Sequence, residues 1–595
     1  MTPSLRQSTQ RLLPTQKPPR KTSTYDLYPT HPLQEGEVGA GFEGLAEALK
    51  GEVCVVIDGY GGVLWEDFRD RLDAALNALG APPAWVSVDT ALRPEADLQD
   101  MLEPYLGGDD PIFGKRYPGL LENFFDPYKL RDLAPQGNKT ILYGTGAALA
   151  GWPGPLVYLD VPKNEIQFRS RAASVRPLGL TADSPMGAKE MYKRFYFVDW
   201  PVLNEHKKRL LFDIDVIIDA QRPEVPTWAT GHALRSSLQA VSKSVFRVRP
   251  WFEPGVWGGQ WLKSEIPELE QDVPNYAWSF ELIVPENGLI FESGNLLEVS
   301  FDFLMFQDRA AVLGEAAPRF GDAFPIRFDY LDTFSGGNLS VQCHPSPAYI
   351  REHFGEGYTQ DETYYILDCA EDADVYLGFA EGVDPAAFRS ELESSAETGE
   401  KVDIERYVHK ERAHKHDLFL IPNGTVHCSG INNLVLEISA TPYIFTFKMY
   451  DWQRLDLNGK PRPLNIARAF DNLDFGRTAS RIRKEFVSTP KLLEERDGGS
   501  VIHLPTHSEH FYDVWQLELT GTMTLDLDGR AHILNLVEGE AIGVETSNGF
   551  AQTYAFAETF VVPAAAVSYT LTNLGPTVAK VVVAFVKPGQ GACRY

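Results

Sequence analysis

The chain has 595 residues, which at about 150 per domain predicts several folding units and excludes a single compact module. Its 55 Lys+Arg against 82 Asp+Glu give a net charge of −27, which disfavours partners with phosphate backbones or anionic lipid surfaces. With 44% hydrophobic and 23% charged residues there is ample material for globular cores. No apolar run is long enough for a membrane span, and no short apolar stretch follows the basic N-terminus as a signal peptide requires. The five cysteines (Cys54, Cys343, Cys369, Cys428 and Cys593) are scattered without a Cys-x-x-Cys spacing. They read as reduced thiols, and the expected location is cytoplasmic.

Residues 1–40 carry Pro3, Pro14, Pro18, Pro19, Pro29 and Pro32 among Arg6, Arg11, Lys17, Arg20 and Lys21. Without an apolar period they predict a Pro-rich basic tail that lacks a core of its own, and disorder is the expectation. From 41 to 240 the pattern alternates. Val53-Cys-Val-Val-Ile57 is a buried strand, Asp58-Gly-Tyr-Gly-Gly62 a glycine turn, and Leu64, Phe68, Leu72 and Ala75 fall at helical spacing. Later runs at Lys139–Tyr143, Pro155–Leu159 and Asp215–Asp219 extend this to an α/β domain with a parallel sheet. Its opening resembles a uridine-kinase-like P-loop domain. The resemblance breaks at the helix start, where Gly62-Val-Leu-Trp65 lacks the Lys and Ser/Thr that would hold phosphates and magnesium. The expectation is a degenerate kinase-like domain; an active kinase, making the chain bifunctional, is the weaker alternative.

From 245 onward short aromatic and β-branched strands alternate with Gly, Pro and Asn, which predicts tandem jelly rolls with helical insertions at 384–396 and 464–472. A core of 245–490 is followed by a second unit at 491–595. Three segments of the core carry metal-capable side chains. Gln342 and His344, in Leu339-Ser-Val-Gln-Cys-His-Pro345, are two apart and share one face of a strand. Glu362 opens the apolar run Gln360-Asp-Glu-Thr-Tyr-Tyr-Ile366, and the turn Ile421-Pro-Asn-Gly-Thr-Val-His427 delivers His427. Two imidazoles, a carboxylate and an amide oxygen suit Zn²⁺ with an open position; Mn²⁺ or Fe²⁺ also fits.

The order Ser-Val-Gln-x-His-Pro, Glu-x-x-Tyr, Pro-x-Gly-x-x-His and Leu-Glu-Ile resembles the class I mannose-6-phosphate isomerases, which are zinc cupins. Pro250 to Gly259, Tyr450 to Gly459 and Pro463 to Arg468 add to the resemblance. It implies one metal on Gln342, His344, Glu362 and His427, and an aldose–ketose isomerisation of a sugar or sugar phosphate through an enediol. Such a reaction needs a Lewis acid and a tuned base. Glu437, in the Leu-Glu-Ile strand, is the candidate for sugar contact or proton transfer, with a buried structural acceptor as the alternative. Lys448 stands where the family carries a catalytic arginine and lacks the planar fork that grips a phosphate.

Other departures concern charge. Asp329 and Gln360 stand where family members often carry lysines, and Ser346-Pro347 follows His-Pro. The metal set is complete while phosphate recognition is altered, with Arg351, Lys410, Arg412 and Arg454 as cations that could compensate from loops. A non-catalytic, metal-containing sugar-binding or regulatory cupin is the alternative function. His409, His414 and His416 read as a polar loop. The last unit, with His503, His507 and His510 before it, lacks a ligand set and reads as a metal-free cupin.

Overall fold

The computed structural model describes residues 4–590 apart from 21–23, 109, 182, 185, 285, 456–458 and 460. The positions Asp456 and Asn458 of the Tyr450–Gly459 motif, and Cys593, therefore lie outside the described residues. The chain forms two compact units. The first comprises residues 1–19, 28–242 and 285–309, and the second 20–27, 243–284 and 310–595.

The first unit is built on a seven-stranded sheet. Strands β1 (Cys54–Gly59), β2 (Ala84–Ser87), β3 (Thr140–Tyr143), β4 (Leu156–Asp160) and β5 (Ile214–Asp219) are mutually parallel in the order β5-β4-β1-β3-β2. Antiparallel β6 (Thr227–Thr230) extends the β5 edge. Helix α1 (Trp65–Ala78) follows the glycine turn and buries Phe68, Leu72 and Leu76. At the turn, the Asp58 carboxylate accepts from the backbone N–H of Gly59 (2.6 Å), Gly146 (2.8 Å) and Ala148 (2.9 Å). Asp58 thus ties the Gly59 amide of the turn to the segment that follows β3.

Residues 285–309 were expected inside the jelly-roll core but belong to the first unit. There they form a hairpin, Gly288–Ser293 with Asn295–Ser300, whose outer strand pairs in parallel with Thr30–Pro32. Disorder of the basic tail is corrected by the same contacts. Leu13, 1% exposed, packs on Ile290 and Leu296, its backbone bonds Gln221 and Arg222, and Arg6 pairs with Glu165, so the proline-rich segment is anchored along its length. Beyond the hairpin, Asp302 pairs with the wholly buried Lys163 and Lys207.

The second unit contains two double-sheet jelly rolls. In the first, β7 (Trp251–Glu253), β8 (Trp278–Leu282), β9 (Ile326–Asp332), β11 (Asp361–Cys369), β14 (Leu418–Ile421) and β16 (Asn433–Ala440) form a sheet in the order β14-β11-β16-β9-β8-β7. The other sheet runs β13-β12-β15-β10-β17, with β10 (Val341–Cys343), β12 (Asp374–Phe379), β13 (Val408–Arg412), β15 (His427–Ser429) and β17 (Phe447–Tyr450). The insertions fold as α2 (Pro385–Thr398) and α3 (Ile466–Phe470). Helix α2 starts where Asp384 accepts from the N–H of Ala386 and Ala387 with Pro385 at the first position, and stops at Gly399 with φ 78°. The second jelly roll, Lys491–Val586, has a six-stranded and a four-stranded antiparallel sheet. Among the described residues no helix is long and apolar enough to cross a membrane.

Candidate metal centre

Strand register assembles the site. On β10, Gln342 lies opposite His427 of β15 on one side and Lys448 of β17 on the other, so all three project from one face. On the facing sheet Glu362 of β11 lies opposite Ser439 of β16, and Glu437 lies between Tyr364 of β11 and Asp329 of β9. The turn before β15 is tied to the first ligand segment, because Gly424 N–H donates to the His344 carbonyl at 2.9 Å. Gly424 has φ 76°, and a Cβ there would sit 2.6 Å from the Asn472 carbonyl oxygen, so only glycine fits this turn. Asp361 Oδ1 holds the same turn to β11 by accepting from Asn423 N–H (2.8 Å) and Nδ2 (3.0 Å). Burial pushes the pKa of Asp361 up to about 6 against the lowering effect of Asn423.

His344, Glu362 and His427 each offer an atom within 4.8 Å of the others, and all three are buried. His344 Nε2 lies 3.0 Å from Glu362 Oε1, and His427 Nε2 lies 3.2 Å from Glu362 Oε2. His344 Nδ1 faces the Phe445 carbonyl (2.9 Å) and His427 Nδ1 the Thr425 carbonyl (3.0 Å). Each Nδ1–H therefore donates outward, which leaves the Nε2 lone pairs aimed at the shared centre. His344 Nε2 and Glu362 Oε2 have no hydrogen-bond partner although both are buried. Orphaned acceptors of this kind fit a divalent cation, which would satisfy them together. The Gln342 amide, 3.4 Å from His427 Nε2, closes a fourth side.

Electrostatics follow from burial. It raises the Glu362 pKa, but the two imidazoles outweigh it and hold the carboxyl well below the usual range. Burial lowers His344, and Glu362 reverses this to leave it raised; His427 stays lowered. Glu437 and Asp329 are both pushed well up, first by burial; Asp329 and then Glu362 add to this for Glu437, and Glu362 adds to it for Asp329. Tyr364, wholly buried, has a hydroxyl without a hydrogen-bond partner on this same face.

All four sequence-predicted ligands therefore converge, with Glu437 and Lys448 on the strands beside them. The loop cations do not join them: Lys410 and Arg412 pair with Asp374, and Arg454 with Asp451. Arg351 lies in the helix Pro347–Phe354, its Nη2 3.4 Å from the Pro347 carbonyl. His409, His414 and His416 pair with Glu411, Asp417 and Glu538 respectively, and no second ligand triad occurs among the described residues. Sequence reading treated Gln360 only as a lost cation. Its two-residue spacing from Glu362 was the signal that it shares the ligand's face, and its amide donates to Glu362 Oε1.

Comparison with known proteins bears on both parts of the chain. Residues 41–243 match a family described as Domain of unknown function (DUF8485). About half of the chain resembles curated sugar-phosphate enzymes. The resemblance is to mannose-6-phosphate isomerases. ManA of Bacillus subtilis is 25% identical over 297 residues, covering 49% of this chain and 85% of that protein. The enzyme of Streptococcus mutans is 24% identical over 294 residues, 49% of this chain and 84% of its own length. Among solved structures, the mannose 6-phosphate isomerase of Bacillus subtilis covers 57% of this chain and 99% of its own at 22% identity, with a TM-score of 0.46.

Proposed function

We propose that the protein is a metal-dependent aldose–ketose isomerase acting on a sugar or sugar phosphate, similar to the mannose-6-phosphate isomerases. One observation carries this reading: Gln342, His344, Glu362 and His427 converge from three separate segments, with buried Nε2 and Oε2 atoms left without a hydrogen bond at the centre. The sequence similarity to curated isomerases supports it. The four described cysteines are free thiols, which supports a reducing, cytoplasmic location.

A bound Zn²⁺, or Mn²⁺ or Fe²⁺ in its place, would be held by these four residues and supply a Lewis acid for adjacent sugar oxygens. The protein's own groups do the rest. Glu437 takes the C2 proton of the open-chain aldose and returns it to C1, while a hydroxyl proton passes from O2 to O1. Burial beside Asp329 makes Glu437 a stronger base than an exposed carboxylate. Lys448, across from Gln342, places a cation at the rim of the ligand set for the polar end of the substrate. Asp329 lies directly across from Glu437, and Gln360 is neutral, so a phosphoryl dianion is not gripped there by lysines. We therefore read the phosphate end as bound differently from that of the named relatives, or absent.

The test is hydrogen exchange at C1 or C2 in deuterated water, with mannose 6-phosphate, mannose, fructose and related sugars on metal-replete protein. Exchange that disappears in His427→Ala is expected. No exchange with any sugar would sink the isomerase and leave the second reading, a metal-containing sugar-binding or regulatory cupin, which the Asp329–Glu437 acid pair favours. For residues 41–240 the reading is a degenerate kinase-like domain, supported by Gly62-Val-Leu-Trp65 in place of the phosphate-holding Lys and Ser/Thr. Nucleotide binding by the full chain would count against it.

A further inference from the structure

Gln360, 4% exposed, stands immediately before β11 and sits in a closed ring of bonds. Its Nε2 donates to Glu362 Oε1 (2.5 Å), and its Oε1 accepts from Phe445 N–H (2.7 Å) and from Thr441 Oγ1 (3.5 Å). The Phe445 carbonyl in turn accepts from His344 Nδ1 at 2.9 Å, and His344 Nε2 faces Glu362 Oε1 at 3.0 Å. One side chain thus ties a ligand carboxylate and, through a single backbone residue, a ligand imidazole.

The chemistry is specific to an amide. A lysine can donate to Glu362 but cannot accept from Phe445 N–H, and a carboxylate can accept but not donate. The amide's orientation is fixed by these two partners, since turning it would set donor against donor and acceptor against acceptor. Holding Oε1 in this way fixes the plane of the carboxylate, whose Oε1 and Oε2 face the Nε2 atoms of His344 and His427 respectively. We infer that Gln360 is a positioning residue of the metal centre: it fixes the Glu362 carboxylate and, through Phe445, sets the ring of His344.

This inference rests on the triad being a metal site and is independent of the sugar chemistry. The experiment is competition for Zn²⁺ against a chromophoric chelator, with visible spectra of the Co²⁺-loaded protein, on full-length wild type, His427→Ala, Gln360→Leu and Gln360→Met. Loss of supporting hydrogen bonds to metal ligands typically costs about 10–100-fold in affinity. Both Gln360 variants are expected to show such a loss and a shifted Co²⁺ band, because a changed ligand geometry moves the band whereas partial unfolding only lowers its intensity. Gln360→Met, unbranched and flexible, serves if the leucine variant does not fold. Wild-type affinity and spectrum in either folded variant, with binding lost in His427→Ala, would overturn the role of Gln360 and leave the metal centre standing. A wild-type protein that binds neither metal stoichiometrically would overturn both.

Discussion

The two jelly rolls of the second unit share an architecture and differ in what fills them. In the C-terminal one a large part of the interior is apolar: Leu517, Leu534 and Val583 of the six-stranded sheet meet Met523, Leu525, Val544 and Leu571 of the four-stranded one in a single cluster. In the other, the corresponding space holds Asp329, Gln342, His344, Glu362, Tyr364, His427 and Glu437, all buried. Burying so many polar groups without full pairing costs stability, whereas packed aliphatic side chains supply it. The contrast sets a roll with a buried polar cluster against one filled largely by aliphatic side chains.

The sharpest way to break this contrast is His427→Ala. Loss of one ring from the buried triad should lower Zn²⁺ affinity by about 1,000-fold or more and abolish sugar exchange, measured by chelator competition and deuterium incorporation. Leu534→Ala, in the apolar roll, should do the opposite. It should cost about 2–5 kcal/mol in denaturant unfolding and leave metal affinity unchanged. Equal loss of metal in both variants would erase the division of labour.

The third prediction uses a buried imidazole of the apolar roll. His532 is wholly buried, its Nδ1 3.0 Å from Tyr569 Oη, and burial with Arg530 nearby lowers its pKa from 6.5 to about 3. Its folded pKa lies below its unfolded one, so its contribution is intact above pH 6.5 and is lost as pH falls toward 3. The loss runs at about 1.4 kcal/mol per pH unit, because the unfolded chain binds one proton more. Urea midpoints of wild type and His532→Asn between pH 7 and 4.5 should converge or cross by that slope; parallel curves would contradict it.

The smallest effect concerns the polar roll. Asp329 and Glu437 have raised folded pKa values, so the stability they contribute is present below the ordinary carboxyl pKa and lost as pH rises through the folded values. Asp329→Asn removes that loss and should raise stability by about 1 kcal/mol at pH 7 and by nothing near pH 3. A destabilised variant at pH 7 would show that the ionised acid is compensated.

Much of the centre was legible in the sequence because a strand's period of two and the residue types fix which side chains share a face. Gln342 and His344 could be paired in this way, and the glycine turn pointed to His427. Cross-strand partnership was not legible. That Glu437 faces Asp329, or that Gln360 reaches Phe445, depends on register between strands about 80–110 residues apart, which no local pattern encodes. Both helical insertions were legible as helices, although only the first carries a side-chain N-cap, Asp384. The burial of Lys163, Arg169 and Lys207 was not, since a charged helix reads as exposed until its partners, such as Asp302, arrive from elsewhere.

That late arrival matters during synthesis. The first unit receives its hairpin and Asp302 from residues 285–309, after the chain has already left it to build part of the second. At about 5–20 residues per second, several seconds separate emergence of Lys163 and Lys207 from emergence of their counter-charge. Through that interval Lys163 lacks the carboxylate it pairs with, while Lys207 has Asp160 alone. A truncation at residue 243 would make the delay permanent, so a cut at the boundary of the sequence family removes a carboxylate from the interior of the first unit.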